Sequence, residues 1–157
     1  MAKQLLETAE SVQAAADQFA AGADDIGKRA KAGLDAGEIG VEEFIAQVAE
    51  ELRLRGQVSL LYSRAIDYVL TDAQLPQAEL DKAIAEARAK IATIKKVRKA
   101  IEIFAGLVVL AAAIVARDGQ GAVKATKALA KLAKSDEDKP AAKAAAKQGK
   151  QAPKAVV

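Results

Sequence analysis

The sequence predicts an all-α fold: an elongated antiparallel bundle of three long, coiled-coil-like helices with a short fourth and a flexible basic tail. Three observations carry that reading. Good helix formers dominate: 52 % of residues are hydrophobic, with Ala the main contributor, and only 3 % are aromatic, while Ala, Leu, Lys, Glu and Gln have the highest helix propensities. Apolar residues recur at three- and four-residue spacing, and β-branched residues never alternate with polar ones over a strand-length run. One stretch, 103–116 (IFAGLVVLAAAIVA), is free of charge and amide side chains. A single bundle is predicted over 1–134, with helices over 3–34, 41–70, 77–117 and 121–134, and a tail over 135–157.

The first helix carries a heptad seam. Leu5, Val12, Phe19 and Ile26 take one core position, and Ala9, Ala16, Ala23 and Ala30 the other. A 3.5-residue repeat keeps one narrow stripe facing a partner helix, and alanine at every second position lets that partner come close. This seam is the sequence's candidate interaction surface, for a second copy or another helical protein. Asp24–Lys28 and Asp25–Arg29 have the spacing of helix-surface ion pairs. The glycine-rich GLDAGEIG at 33–40 ends the helix.

In the second helix Val41, Ile45, Val48 and Leu52 continue into Val58, Leu61, Tyr62, Ala65, Ile66 and Val69, with Gly56 read as a close crossing. Tyr62 and Tyr68 read as core-edge rings with wet hydroxyls. Thr71 and Gln74 have capping-box spacing before Pro76. The third helix spans about 60 Å, with Leu80, Ile84, Ala87, Ile91, Ile94, Ile101, Val108, Ala112 and Val115 on its seam and Arg98 as one polar intrusion. Its second half is apolar all round and must be covered on every side.

The apolar run is about 21 Å long as helix, short of the roughly 20 residues a bilayer span needs. Ile103, Phe104, Leu107, Val108, Val109, Leu110, Ile114 and Val115 therefore read first as core, and second as a segment that enters a membrane with the helix after it. In that last helix Lys124, Lys127, Lys131 and Lys134 share one face, the pattern of a basic helix on an anionic membrane surface. Lys139, Lys143, Lys147, Lys150 and Lys154 recur through the tail among Ala, Gln, Gly and Pro. They suit non-specific, salt-sensitive contact with nucleic acid.

Net charge is +3, but it is unevenly placed. Residues 1–76 carry 7 basic and 13 acidic side chains, and residues 77–157 carry 17 and 8. Pairing between an acidic and a basic half of the bundle is the simpler consequence.

Chemistry is narrowed by what is missing. The chain has no His and no Cys, which removes the commonest general base, the thiolate nucleophile and the usual zinc ligands. Glu42, Glu43, Glu50 and Glu51 read as solvated charge. DGQGAVKAT, with Lys124 and Thr126, departs from the phosphate-loop pattern and follows no strand. The sequence therefore predicts a non-enzymatic protein with no catalytic, cofactor or metal site, working by helical assembly. Membrane insertion is the alternative, and nucleic-acid binding a further one. The acidic N-terminus lacks a signal peptide's apolar core, so the expected location is cytoplasmic, or outside after export without a cleaved leader.

Overall fold

Thr8 starts the first helix. Its Oγ1 accepts from the Ser11 N–H at 3.1 Å, and Ser11 Oγ accepts from the Thr8 N–H at 3.1 Å, a reciprocal cap that satisfies two otherwise orphaned donors. In the computed structural model, which describes residues 4–134, α1 accordingly runs Ala9–Asp35, six residues shorter at its start than the spacing predicts. The residues before it instead make an isolated bridge at Gln4–Pro76 and a turn at Leu5–Leu6, with Leu6 at φ +57°. The Leu5 N–H donates to Leu75 O at 2.8 Å, and Leu6 O accepts from the Leu70 N–H at 2.9 Å. Four further helices follow: α2 (Val41–Ser63), α3 (Gln77–Thr93), α4 (Val97–Val115) and α5 (Gly119–Lys134), with a 3-10 turn at Ala65–Tyr68. The all-α class holds throughout the described residues. The expected tail, 135–157, lies outside them.

The α1 seam is buried within the chain itself. Leu5, Val12, Ala16, Phe19, Ala23, Ile26 and Ala30 are all buried, and Ala9 is half-buried. Small residues do allow close approach, but to this chain's own helices. A Cβ added at Gly22 would stand 2.9 Å from Leu107 Cδ1, and one at Gly33 would stand 3.1 Å from Val97. Gly37, with φ +75°, turns the chain into α2, which runs antiparallel to α1: Asp17 meets Tyr62, and Asp24 meets Arg55.

The largest departure from expectation is in the third predicted helix. Instead of one rod over 77–117, the chain reverses over Ile94–Lys96, and α4 returns along α3. Arg88 of α3 and Leu107 of α4 both reach Gly22 of α1. Neither Gly nor Pro stands at the reversal. The seam explains it. Leu80, Ile84, Ala87, Ile91 and Ile94 are buried on α3, and a continuous heptad would next bury Arg98. On α4 the buried residues include Val97, Ala100, Phe104, Leu107, Ala111 and Ile114, a heptad one residue earlier in phase, with Ile103, Val108 and Leu110 buried beside it. The reversal resets the register and places Arg98 outside, so it is no intrusion into the core. Ile101 is left half-buried and Ala112 exposed.

α5 covers α4 and α3 together. Asp118 Oδ1 accepts from the Gly121 N–H at 2.8 Å, starting the helix two residues earlier than predicted. Gly106 lets α5 settle on α4: a Cβ there would stand 3.0 Å from Leu129 Cδ1. The result is a five-helix bundle folded back on itself, not an elongated one of three rods. Three further expectations are corrected. α2 ends at Ser63, not near 70, because Leu70 pairs with Leu6. Pro76 precedes α3 with no side-chain cap bond, so the Thr71/Gln74 box does not form. Finally, Asp24 and Asp25 pair across helices, with Arg55 at 2.7 Å and Arg88 at 3.0 Å, rather than with Lys28 and Arg29.

Candidate interaction surface

A 23-residue helix at the edge of a bundle needs one apolar stripe; α2 has two. Gln47, Leu54, Val58 and Leu61 are buried on its inner face. The residues the sequence assigns to the core, Val41, Ile45 and Leu52, are instead 62 %, 61 % and 63 % exposed, and Val48 is half-buried. At 100° per residue these four lie within one narrow sector, roughly opposite the buried face. Ala49 flanks this outer stripe on one side, and Leu60, 42 % exposed, lies on that same flank towards the C-terminus. Gly56 lies between them, and nothing stands within 4 Å of a Cβ added there. The close crossing read at Gly56 is therefore absent from the chain's own packing.

The apolar residues of 41–69 thus belong to two stripes, not one. Six residues separate Leu52 from Val58, and that step turns the helix by about 120°. The phase jump was the available signal that α2 has two apolar faces. Ile66, 71 % exposed, and Tyr62 extend the exposed apolar surface beyond the stripe. Among the described residues, six of the seven large exposed hydrophobics fall between 41 and 66; Val109 is the other.

The remaining sequence candidates are placed as follows. In the apolar run, Ile103, Phe104, Leu107, Val108, Leu110 and Ile114 are buried, Val115 is half-buried, and Val109 is 59 % exposed with Ala105 and Ala112 beside it. α4 is thus covered on most of its circumference but not on every side, because α5 and α1 leave one outward strip. No helix among the described residues is long and apolar enough to cross a membrane. Lys124, Lys127, Lys131 and Lys134 are all exposed on α5. Lys139, Lys143, Lys147, Lys150 and Lys154 lie outside the described residues. No cluster of three metal-ligating side chains occurs among the described residues.

Electrostatics bind the acidic and basic parts of the chain at two points. Arg88 of α3 meets Asp25 of α1, and Arg98 of α4 meets Glu43 of α2 at 2.8 Å through both carboxylate oxygens. Arg98, assisted by the Gly40 N–H, holds the Glu43 carboxyl down at about 2. A depressed carboxyl contributes stability above its unfolded value, near 4.5, and loses it as pH falls towards 2. The stability difference between wild type and Glu43→Gln should therefore be constant from pH 7 to about 5 and shrink to nothing near pH 2, read by urea unfolding at each pH. Asp17, accepting from the Tyr62 hydroxyl, pushes that phenol up to about 12. Tyr62 is thus a surface ring tied to α1, whereas Tyr68 is buried, with Arg117 over its face at 5.4 Å.

One groove and one buried amide are not read from the sequence. A groove of about 610 Å³ between α1 and α2 is lined by Asp24, Asp35 and Glu51 against Lys28, Lys31 and Arg55. Its charges cancel, so it attracts neither anion nor cation. Gln47 is buried, and among the described residues its Nε2 has no hydrogen-bond partner. An orphaned buried donor costs about 1–3 kcal/mol. Gln47→Met should therefore leave stability unchanged or raise it by about 1 kcal/mol in urea unfolding; a clear loss would mean the amide is satisfied.

Comparison with protein-family models, curated proteins and solved structures gives no match, so the surface must be read from its own chemistry.

Proposed function

We propose that this is a non-enzymatic helical interaction protein, and that it docks another helix on the outer stripe of α2. The observation that carries the reading is the concentration of exposed apolar side chains on Val41, Ile45, Leu52 and Leu60, on a helix whose other face is already committed to the core. Scattered surface hydrophobics are ordinary, whereas a contiguous apolar patch rimmed by charge marks an interaction site. Docking by helix-in-groove or helix-on-helix contact reads such a face as anchors at i, i+4, i+7 and i+11, the spacing of 41, 45, 48 and 52. Gly56 adds to this. It costs about 1 kcal/mol relative to Ala in a helix interior, and no neighbour among the described residues requires it.

Two readings from the sequence fit less well. Membrane insertion of 103–116 would have to withdraw Phe104, Leu107, Leu110 and Ile114 from the core, each stabilising the fold by about 1.5–3 kcal/mol through burial. Anionic partners, lipid or nucleic acid, would meet the exposed lysines of α5, but no aromatic platform accompanies them.

The test is a photo-crosslinking amino acid placed at Leu52, with Ala78 on the exposed side of α3 as control, in cells producing the full chain. The docking reading predicts discrete crosslinked species from position 52, with this chain or another protein, and none from 78. Equal or absent crosslinking at the two positions would contradict it.

A further inference from the structure

The charges around the α2 stripe are ordered along the helix. Glu42 and Glu43 stand in the first turn, and Glu50 and Glu51 near the middle; Arg53, Arg55 and Arg64 follow towards the end. Several of these are engaged within the chain: Glu43 with Arg98, Arg55 with both Asp24 and Glu51, and Arg64 with Asp67. Glu42 makes no ion pair among the described residues, and Arg53 has only a loose contact, 3.8 Å from Glu50. Glu42 and Arg53 are eleven residues apart, three turns, so both flank the stripe on the same side.

That arrangement is complementary to itself when reversed. Two copies of α2 laid antiparallel, with a two-fold axis between Val48 and Ala49, oppose Ile45 with the partner copy's Leu52, and Leu52 with its Ile45. Val41 meets the open surface at Gly56, where no side chain keeps the helices apart. On the flank, Glu42 and Arg53 of the other copy lie two residues from level, about 3 Å along the axis, within reach of each other's long side chains, twice over. A parallel pairing would instead set Glu42 against Glu42 and Arg53 against Arg53, which is repulsive. An isologous, two-fold contact is also the commonest way for a chain to assemble with itself.

We propose that the outer face of α2 pairs with the same face of a second copy in an antiparallel, two-fold helix pair. This rests on the docking reading above and names its occupant. The contact, residues 41–56 of each copy, is about 24 Å long and one helix wide, at the small end of specific interfaces. The dimer is accordingly weak, with Kd on the order of 100 µM, and strengthened wherever the local concentration is high.

The experiment is sedimentation equilibrium of the full chain from about 10 µM to 1 mM, at low and high salt. Wild type should pass from monomer to dimer over that range, and Ile45→Glu should remain monomeric. Glu42→Arg and Arg53→Glu should each weaken association about tenfold, because each turns two attractive rim pairs into repulsive ones. The double variant, Glu42→Arg with Arg53→Glu, should recover wild-type association, since the reversed charges again face each other across the axis. A wild type that stays monomeric at 1 mM overturns the proposal, as does association indifferent to Ile45→Glu. Recovery absent in the double variant overturns the antiparallel arrangement. Circular dichroism of each variant verifies that the bundle is folded. If the chain is monomeric yet position 52 crosslinks to other proteins, self-pairing fails while the docking reading stands. If position 52 crosslinks to nothing, both fail.

Discussion

Leu107→Asp should unfold the bundle, while Val109→Asp, two residues further along the same helix, should leave it folded. Leu107 is fully buried, with its Cδ1 against the backbone of α1 at Gly22. Losing a buried Leu side chain costs about 2–5 kcal/mol, and an unpaired carboxylate in the same place adds several more. Whole domains are stable by only about 5–15 kcal/mol, so the sum removes most or all of it. Val109 points outward beside Ala105 and Ala112 and is more than half exposed. A charge there is solvated, and the expected change is within about 0.5 kcal/mol. Circular dichroism with urea titration separates the two outcomes. If both variants unfold, the outward strip of α4 is covered by something, and the bundle described here is incomplete.

Arg29→Met should give the next largest effect, about 2–4 kcal/mol. In a continuous helix the carbonyls of Ile91 and Ile94 would accept from the N–H groups of residues 95 and 98. At the reversal they accept from Arg29 instead, from Nη1 and Nη2 at 2.6 Å each. One planar guanidinium thus satisfies two carbonyls at the end of α3, and charge-assisted hydrogen bonds of this kind contribute about 1.5–3 kcal/mol each before allowance for partial exposure. Arg29→Lys should recover little, since an ammonium lacks the fork that spans both acceptors. The readouts are the urea midpoint and amide exchange across 91–98. Unchanged stability in Arg29→Met would mean that packing alone holds α3 and α4 folded back.

How far the sequence revealed this fold depends on the element. The α1 seam was legible because its heptad is strict: apolar residues at 12, 16, 19, 23, 26 and 30 all turned inward, although the Thr8 cap that starts the helix went unread. What the pattern could not say was whose helices would meet it, since an Ala-rich seam suits an intramolecular neighbour as well as an outside one. The α3–α4 reversal was concealed because no Gly or Pro marks it. Arg98 was the one clue, and its meaning lay in the phase of the buried residues after it, Val97, Ala100 and Phe104. The α2 stripe was misassigned for a related reason. Val41, Ile45, Val48 and Leu52 are a correct helical stripe, but Leu54, Val58 and Leu61 form another on the inner face, and periodicity alone does not say which one faces the core. The candidate surface was therefore visible in the sequence as a pattern, and only packing turned it outward.

These corrections share a physical origin. Helical periodicity fixes which residues lie together, and tertiary packing then chooses among competing stripes and decides where a rod must fold. Both choices here serve the burial of α4. Folding α3 back covers one side of it, α5 covers another, and α2 contributes only its inner face. Among the described residues, most of the large apolar side chains left exposed lie on α2 and just after it, with Val109 of α4 the other.

The most direct measurement uses the absence of cysteine from the chain. A single cysteine introduced at Leu52, and separately at Ala78 as control, is labelled with a thiol reagent, once in the dilute purified protein and once inside cells producing it. Both positions should react fast in dilute solution, and position 52 should become several-fold slower in cells while 78 does not. Equal reactivity of the two positions in both settings would contradict it, because the outer face of α2 would then meet only water.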